Sequence, residues 1–434
     1  MDQQQLTPDE VDYVIYHNPC SDGTAAGMAA WKYLKNKFPE RQVIYKGMAM
    51  GQPPPDDIKG KNLLICDYSY KKDVILDLLT KVNKLLIIDH HRSAEKDLQD
   101  IDNKYKIFDM KKSGATLTWS YFFPNTEMPL LFKYIEDRDI WTKKLVNTDD
   151  FASAFYILPH DFELYEKYLD ENLLLSLINV TGPKYQELNA YYTDQAVSYS
   201  VPKFCKIKGK YYLVASVNTS ILKSDIGNKI FDKYPLIDFS ISYSIYDSSN
   251  TTSISLRSTD KHADVSKIAT KFGAGGHRNA SGMRLEYISN AIPSKSYDHG
   301  EIYNYLENVY FGSLTIDNQI INIIYLHTTL YQFQLGKYFL QTKYKTQNKE
   351  RVQVGSTLNN SGNPTDYLDM SAMWNYNVKY DTSDYIIIFD KKLDSKTKEQ
   401  FINQFTNKAS VLVEFNNPTS VKLTFSGLVK KIIL

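Results

Sequence analysis

Cysteine is scarce: Cys20, Cys66 and Cys205 are the only three in 434 residues, and they form no paired motif. That scatter excludes a disulfide scaffold and points to a reducing, cytoplasmic setting. Charge of one sign is equally lacking. Fifty-one basic residues face 50 acidic ones, for a net charge of +1. No global field therefore gathers long nucleic acid, and a short substrate is expected. No run approaches the roughly 20 apolar residues that a membrane span requires. The segment Met1 to Pro8 has neither the basic stretch nor the hydrophobic core of a signal peptide. No membrane partner is expected. Repeats and low-complexity tracts are also missing. The chain has room for two or three domains with well-buried cores.

What is present is a set of apolar runs that end in metal-binding side chains. Lys84 to Ile88 leads into Asp89, His90, His91 and Arg92. A buried strand here delivers Asp89, His90 and His91 to its C-terminal end, where open α/β sheets place ligands. Adjacent histidines leaving a strand point to opposite sides, so one can hold a metal while the other faces a substrate. Val11 to Tyr16 ends in His17 and is followed by Asn18, Pro19, Cys20, Ser21, Asp22 and Gly23. Asn-Pro breaks the strand, Asp22 can cap the next helix, and Gly23 allows close backbone approach. Asn62 to Cys66 ends in Asp67, and Tyr134 to Trp141 carries Asp137, Arg138 and Asp139. Such a mixed oxygen and nitrogen set suits Mn²⁺ or Mg²⁺ better than structural zinc.

Three regions follow along the chain. Strands are expected at Tyr13–Tyr16, Gln42–Lys46, Leu63–Cys66, Leu85–Ile88 and Lys106–Phe108. Helices are expected at Thr24–Lys35, Lys71–Val82 and Gly114–Phe122, giving a parallel sheet covered on both faces over residues 1–160. Residues 161–198 read as a helical linker. A smaller α/β unit is expected over 199–298, with strands near Tyr211–Val217, Phe239–Ile245 and Ser253–Arg257. The last stretch, 299–434, is rich in β-branched and aromatic residues, contains the turn Asn359 to Pro364, and reads as a β-rich or α+β accessory domain.

The order His17-x-x-Cys20-x-Asp22-Gly23, Asp67, Asp89-His90-His91 and Asp137-Arg138-Asp139 resembles the DHH phosphoesterase family. Val217-Asn218, Ser224-Asp225, Ser255-Leu256-Arg257-Ser258 and Gly273-Ala-Gly275-Gly276-His277, ending at Gly282, resemble its associated substrate domain. The resemblance spans roughly residues 11 to 290 and leans toward the branch that cleaves short oligonucleotides and cyclic nucleotides. It implies a two-metal site, with Mn²⁺ favoured over Mg²⁺ and the second ion open. Asp67 would bridge both ions. His17 would complete one site, and Asp22, His90 and Asp137 the other. His91 would act on a phosphate oxygen or the leaving group, and Asp89 would orient a histidine. Arg257, Gly275, Gly276 and His277 would hold the substrate's far phosphate or terminal nucleotide. Ser113-Gly114 resembles a segment where a helix start faces the site, able to hold an anion or to be a plain helix start. A homodimer is left open.

Cys20 departs from the commoner pattern, in which an aspartate stands there. A thiolate binds Mn²⁺ or Zn²⁺ and is a poor ligand for Mg²⁺. The competing expectation is a cysteine packed under the loop. The favoured activity is a metal-dependent phosphodiesterase for short oligonucleotides or cyclic dinucleotides. Alternatives are a single-strand exonuclease, a pyrophosphatase or polyphosphatase, and an inactive nucleotide-binding scaffold. The Arg257 and glycine–histidine pair favours a nucleotide-sized ligand over pyrophosphate. His160, His262, His299 and His327 lie outside every motif and read as structural or surface residues.

Overall fold

Each of the five apolar runs in the first 110 residues forms a strand in the computed structural model: β1 (Tyr13–His17), β2 (Ile44–Met48), β3 (Asn62–Cys66), β4 (Lys84–Asp89) and β5 (Lys106–Phe108). The structure describes residues 5–49, 51–290, 292–298, 300–306, 309–341, 343–344, 351–352, 368–406, 408, 410–417, 419–427 and 429. The strands are all parallel, in the order β2-β1-β3-β4-β5, with Tyr13 beside both Ile44 and Leu63 and with Leu63 beside Leu85. Helices α1 (Ser21–Lys37), α2 (Lys72–Lys81) and α3 (Arg92–Asp97) lie in the crossovers, and α4 (Gly114–Phe122) follows β5. Leu63 to Cys66 are buried without alternation, which requires cover on both faces. Ile75, Leu78 and Val82 pack on one face, and Ala26, Ala30, Leu34 and Phe122 on the other. Each of the larger side chains contributes about 1.5–3 kcal/mol through burial. Strand order reverses between β1 and β3, and that switch opens a crevice beyond their C-terminal ends.

The first unit runs to Tyr192. It adds α5 (Leu130–Asp139), α6 (Thr148–Phe155), α7 (Phe162–Lys167), α8 (Glu171–Ser176) and a π-helical turn over Leu177–Thr181, and the boundary falls within α9 (Gly182–Ser198). The stretch expected as a helical linker is helical and packs three buried side chains into this unit's core. Tyr165, Leu174 and Ile178 are buried in one cluster with Phe132, Phe151 and Phe155.

The second unit, Thr193–Leu434, holds two large sheets. One has seven strands in the order β10-β11-β9-β8-β7-β6-β12, formed by β6 (Val201–Ile207), β7 (Lys210–Asn218), β8 (Phe239–Tyr246), β9 (Thr251–Arg257), β10 (Gly275–Gly276), β11 (Ala280–Leu285) and β12 (Lys295–Asp298). Helices α10 (Lys223–Lys233) and α11 (Val265–Ala269) lie in its connections, and α12 (Glu301–Tyr305) follows. The other sheet has the order β13-β14-β17-β18-β20-β19. It uses β13 (Tyr310–Ile316), β14 (Gln319–His327), β17 (Met370–Asn377), β18 (Thr382–Phe389), β19 (Val411–Asn417) and β20 (Ser420–Ser426), while β15 (Lys343–Tyr344) and β16 (Arg351–Val352) pair separately. Helix α13 (Gln332–Gln341) places Leu335, Tyr338 and Phe339 with Ile324 and Met373. Helix α14 (Ser395–Thr406) places Phe401 and Phe405 with Tyr385 and Leu423. This end is therefore α+β. The turn at 359–364 and His299 lie outside the described residues. No helix among the described residues is long and apolar enough to cross a membrane.

Candidate metal centre

Three strand ends of the parallel sheet meet around one carboxylate. Asp67 follows β3 directly, in the left-handed region at φ 53°, with its amide bound to the Ile88 carbonyl at 2.9 Å. Aspartate tolerates this conformation better than most residues, and it turns the side chain across the crevice. Asp67 is 1% exposed, and neither carboxylate oxygen makes a well-aligned hydrogen bond among the described residues. Its nearest neighbours are His17 Nδ1 at 3.4 Å and His90 Nε2 at 3.2 Å. His90 Nε2 also lies 3.6 Å from Asp22 and 3.5 Å from Asp139.

The resulting groups overlap. Ligand atoms of His17, Cys20 and Asp67 all lie within 4.8 Å of one another, as do those of Asp22, His90 and Asp139. A third such group is Asp67, Asp89, His90 and His91. Two glycines permit the convergence. A Cβ at Gly114 would stand 2.5 Å from Asp67 Cβ, and one at Gly23 would overlap the His17 backbone.

Helix α4 begins here, but its amides hold the protein's own anion. Gly114 N and Ala115 N donate to the two oxygens of Asp22 at 2.7 and 3.0 Å, and Thr116 N donates to Ser113 Oγ at 3.3 Å. Asp22 therefore sits in the first turn of α1 and caps α4 rather than its own helix.

Asp89 organises the neighbouring pair. Its Oδ1 accepts from the His90 and His91 amides at 2.7 and 3.2 Å and contacts His91 Nδ1 at 2.6 Å, while Ser69 Oγ donates to Oδ2 at 2.6 Å. His91 Nε2 is thereby turned away from Asp89, with the ring orientation fixed.

The electrostatics call for a cation. Burial, reinforced by Asp67 and Asp139, pushes the Asp22 carboxyl well above its ordinary value. Burial likewise raises Asp139, with Asp67 adding to it and His90 opposing. For Asp67, burial works upward but is outweighed by the His17 and His90 contacts, leaving it lowered. His90 is held up to about 11: burial opposes its charge, while Asp67, Asp139 and Asp22 outweigh that burial. Cys20 is pushed up by burial and by the same three aspartates. Buried carboxylates gathered with so few hydrogen-bond donors are costly without positive charge between them. The residues fit cations of the hard-to-borderline class.

One expected ligand is elsewhere. Asp137 accepts from Thr142 Oγ1, Lys144 N, Leu145 N and Thr148 Oγ1, at 2.5 to 3.0 Å, and so ties down the loop after α5. Asp139, two residues on, takes the position beside His90. Arg138 Nη1 lies 3.8 Å from Asp149, and its guanidinium stacks 4.1 Å from the ring of the half-buried Trp141. Ser69 was another omission.

The second unit arranges its own residues. Arg257 Nη1 donates to Ser255 Oγ and the Leu256 carbonyl, both at 2.8 Å, and Nη2 donates to Ser224 Oγ at 2.6 Å. Gly227 makes room for the Arg257 stem. Gly275 and Gly276 form a hairpin edge against Gly282 and Ser281. His277 N donates to the Ala280 carbonyl at 2.7 Å, so that amide closes the turn instead of reaching for an anion. Gly276, at φ 138°, would overlap the Ala280 carbonyl with any side chain. Outside the motifs, His160 meets Tyr165, His262 packs on Phe231, and His327 lies against Trp374.

No family model matches the chain. Among solved structures, similarity extends to the pGpG-specific phosphodiesterase PggH of Vibrio cholerae (12% identity, TM-score 0.33, 63% of this chain and 92% of that one). It extends also to RecJ with Mn²⁺ from Thermus thermophilus (11%, 0.36, 63% and 49%) and an exopolyphosphatase-related protein from Bacteroides fragilis (17%, 0.37, 65% and 88%). Scores and identities this low carry no weight for this chain's chemistry. Sequence similarity is firmer with the uncharacterized protein R106 of Acanthamoeba polyphaga mimivirus, which is 35% identical over 303 residues, or 67% of this chain and 71% of R106. The chain belongs to the same family as mimivirus R106.

Proposed function

We propose that this chain is a metal-dependent phosphoesterase of the DHH type that hydrolyses phosphodiester bonds in short oligonucleotides or cyclic dinucleotides. The observation that carries the reading is Asp67, a buried carboxylate whose two oxygens have no hydrogen-bond partner among the described residues and which is shared between two groups of ligand atoms. His17 and Asp67 would hold one cation; Asp67, Asp22, His90 and Asp139 would hold the other. Bound cations supply charge to clamp a phosphate and lower the pKa of a bound water toward about 7.

The protein's own groups do the rest. Asp89 fixes the His91 ring through Nδ1 and outweighs burial in raising its pKa, so the charged ring can present its Nε2 proton to the departing oxygen. The α4 amides hold Asp22 in place. Arg257, with its fork set by Ser224 and Ser255, suits a second phosphate, as planar guanidinium groups do. That feature supports a nucleotide over pyrophosphate, and a net charge of +1 weighs against a long-strand exonuclease.

The test is incubation of the purified protein with 5′-labelled short RNA and DNA, cyclic dinucleotides and pyrophosphate, in Mn²⁺ and in Mg²⁺. Metal-dependent cleavage of the nucleotidic substrates is expected. Cleavage of pyrophosphate alone, or of nothing in either ion, overturns the reading.

A further inference from the structure

We infer that the two cation positions sharing Asp67 are chemically unlike: Cys20 makes the position at His17 selective for a borderline transition ion over Mg²⁺, while the position at His90 takes a hard ion. The inference deepens the metal-centre reading above and rests on it.

The two donor sets differ in kind. Around His17 stand an imidazole nitrogen, the Cys20 thiol and one Asp67 oxygen, all within 4.8 Å. Around His90 stand one imidazole nitrogen with the Asp22 and Asp139 carboxylates, and the other Asp67 oxygen lies 3.2 Å from the ring. Cys20 does not merely fill space under the loop. It occupies the residue before α1, gives its carbonyl to Thr24 N at 2.9 Å, and makes no side-chain capping bond. The site it faces contains a group already seeking a partner: Asp67, 1% exposed, without a hydrogen bond to either oxygen. His17 Nδ1, also buried, has no hydrogen-bond partner among the described residues. Two buried ligand side chains without hydrogen-bond partners among the described residues, His17 at Nδ1 and Asp67, converge with the Cys20 sulfur at ligand spacing, which marks an ion site rather than a packing contact.

Softness then decides which ion. Thiolate sulfur prefers Co²⁺ or Zn²⁺ and accepts Mn²⁺ less readily, whereas Mg²⁺ takes oxygen with near-octahedral geometry. On binding, the Sγ–H bond breaks, its proton passes to solvent, and the sulfur bonds to the ion with no change in oxidation state. The other two cysteines serve as controls, since Cys66 and Cys205 belong to none of the ligand groups among the described residues.

The test uses the full chain, stripped of metal and titrated with Co²⁺ under reducing conditions, with bound ions counted by elemental analysis. Two ions should bind, with a near-ultraviolet thiolate-to-cobalt charge-transfer band. Excess Mg²⁺ should displace one ion and leave the band. Cys20→Ser should abolish the band and weaken that ion by at least the ~10-fold that losing even a supporting partner of a ligand costs. Cys20→Asp should abolish the band and let Mg²⁺ displace both ions. Bound Co²⁺ without the band, or a band that survives Cys20→Ser, overturns the inference alone. Failure of Co²⁺ to bind at all overturns it together with the metal-centre reading. A wild-type protein that shows the band yet cleaves no substrate leaves this inference standing and overturns only the phosphoesterase reading.

Discussion

The parallel sheet of the first unit and the six-stranded sheet at the C-terminal end are both covered on two faces, yet they bury different polar groups. The first buries Asp22, Asp67, Asp89 and His90 at or beyond its strand ends. The second buries hydroxyls that find local partners: Thr328, Ser371, Ser383 and Thr397. Ser371 donates to the Gly336 carbonyl at 3.0 Å, and Ser383 donates to Gly427 O and accepts from Val429 N, both at 2.8 Å. A hydroxyl satisfied locally is tolerated in a core, whereas a carboxylate without donors is retained only for something it will bind. No metal-ligand group occurs in the C-terminal sheet among the described residues. The difference separates the sheet that carries the candidate site from one that does not.

The contrast can be broken at its strongest point first. Asp67→Ala should reduce hydrolysis below roughly a tenth of wild type, a loss exceeding about 1.4 kcal/mol of transition-state stabilisation. The protein should stay folded by near-ultraviolet circular dichroism in chelator, because Asp22 and Asp139 still face His90. Greater retained activity at saturating Mn²⁺ removes Asp67 from the bridging position.

His91→Ala should lower kcat by about 10²–10⁴-fold, the range for a positioned proton donor. Bound metal, measured by elemental analysis, should be largely unchanged. Loss of the ions in that variant makes His91 a ligand.

The two neighbouring aspartates of α5 give the sharpest internal comparison. Asp137→Ala removes four accepted hydrogen bonds and should cost ~3 kcal/mol or more in chemical denaturation. Asp139→Ala should leave stability near wild type and lose one bound ion. An exchange of these outcomes would restore Asp137 to the metal centre.

The smallest effect belongs to the supporting sheet. Ser383→Ala strands the Val429 amide and should cost ~1–2 kcal/mol in a denaturant titration. Its kcat should not move, and a changed kcat would give the C-terminal sheet a part in the reaction.

Much of this was legible because a parallel strand announces itself twice, by its unbroken apolar run and by the polar residue that stops it. β5 and α4 fall at the expected residues, and β1, β3 and β4 extend by one residue at an end or at each end. Helix ends carry no such mark. At the end of α5 the chain offers Asp137 and Asp139, about 200° apart around the axis, and only tertiary packing shows which one meets His90. The same limit hid the strand β11, because Gly276 and Gly282 mimic a loop in sequence while pairing as a hairpin edge in space. Asp22 misled for a related reason: its place at a helix start suggested a local cap, and its partners lie 92 and 93 residues away.

That long reach has a consequence for how the first unit responds to its ion. The Asp22 carboxylate is claimed at once by the Gly114 and Ala115 amides and by the neighbourhood of His90. A cation that draws electron density from Asp22 must weaken its hold on those amides, while the neutralised cluster stiffens around them. Solvent exchange of the two amide protons therefore becomes a gauge of occupancy, reporting an event at the end of β4 from the opening turn of α4. Helix and proposed ion would then be thermodynamically linked through a single side chain.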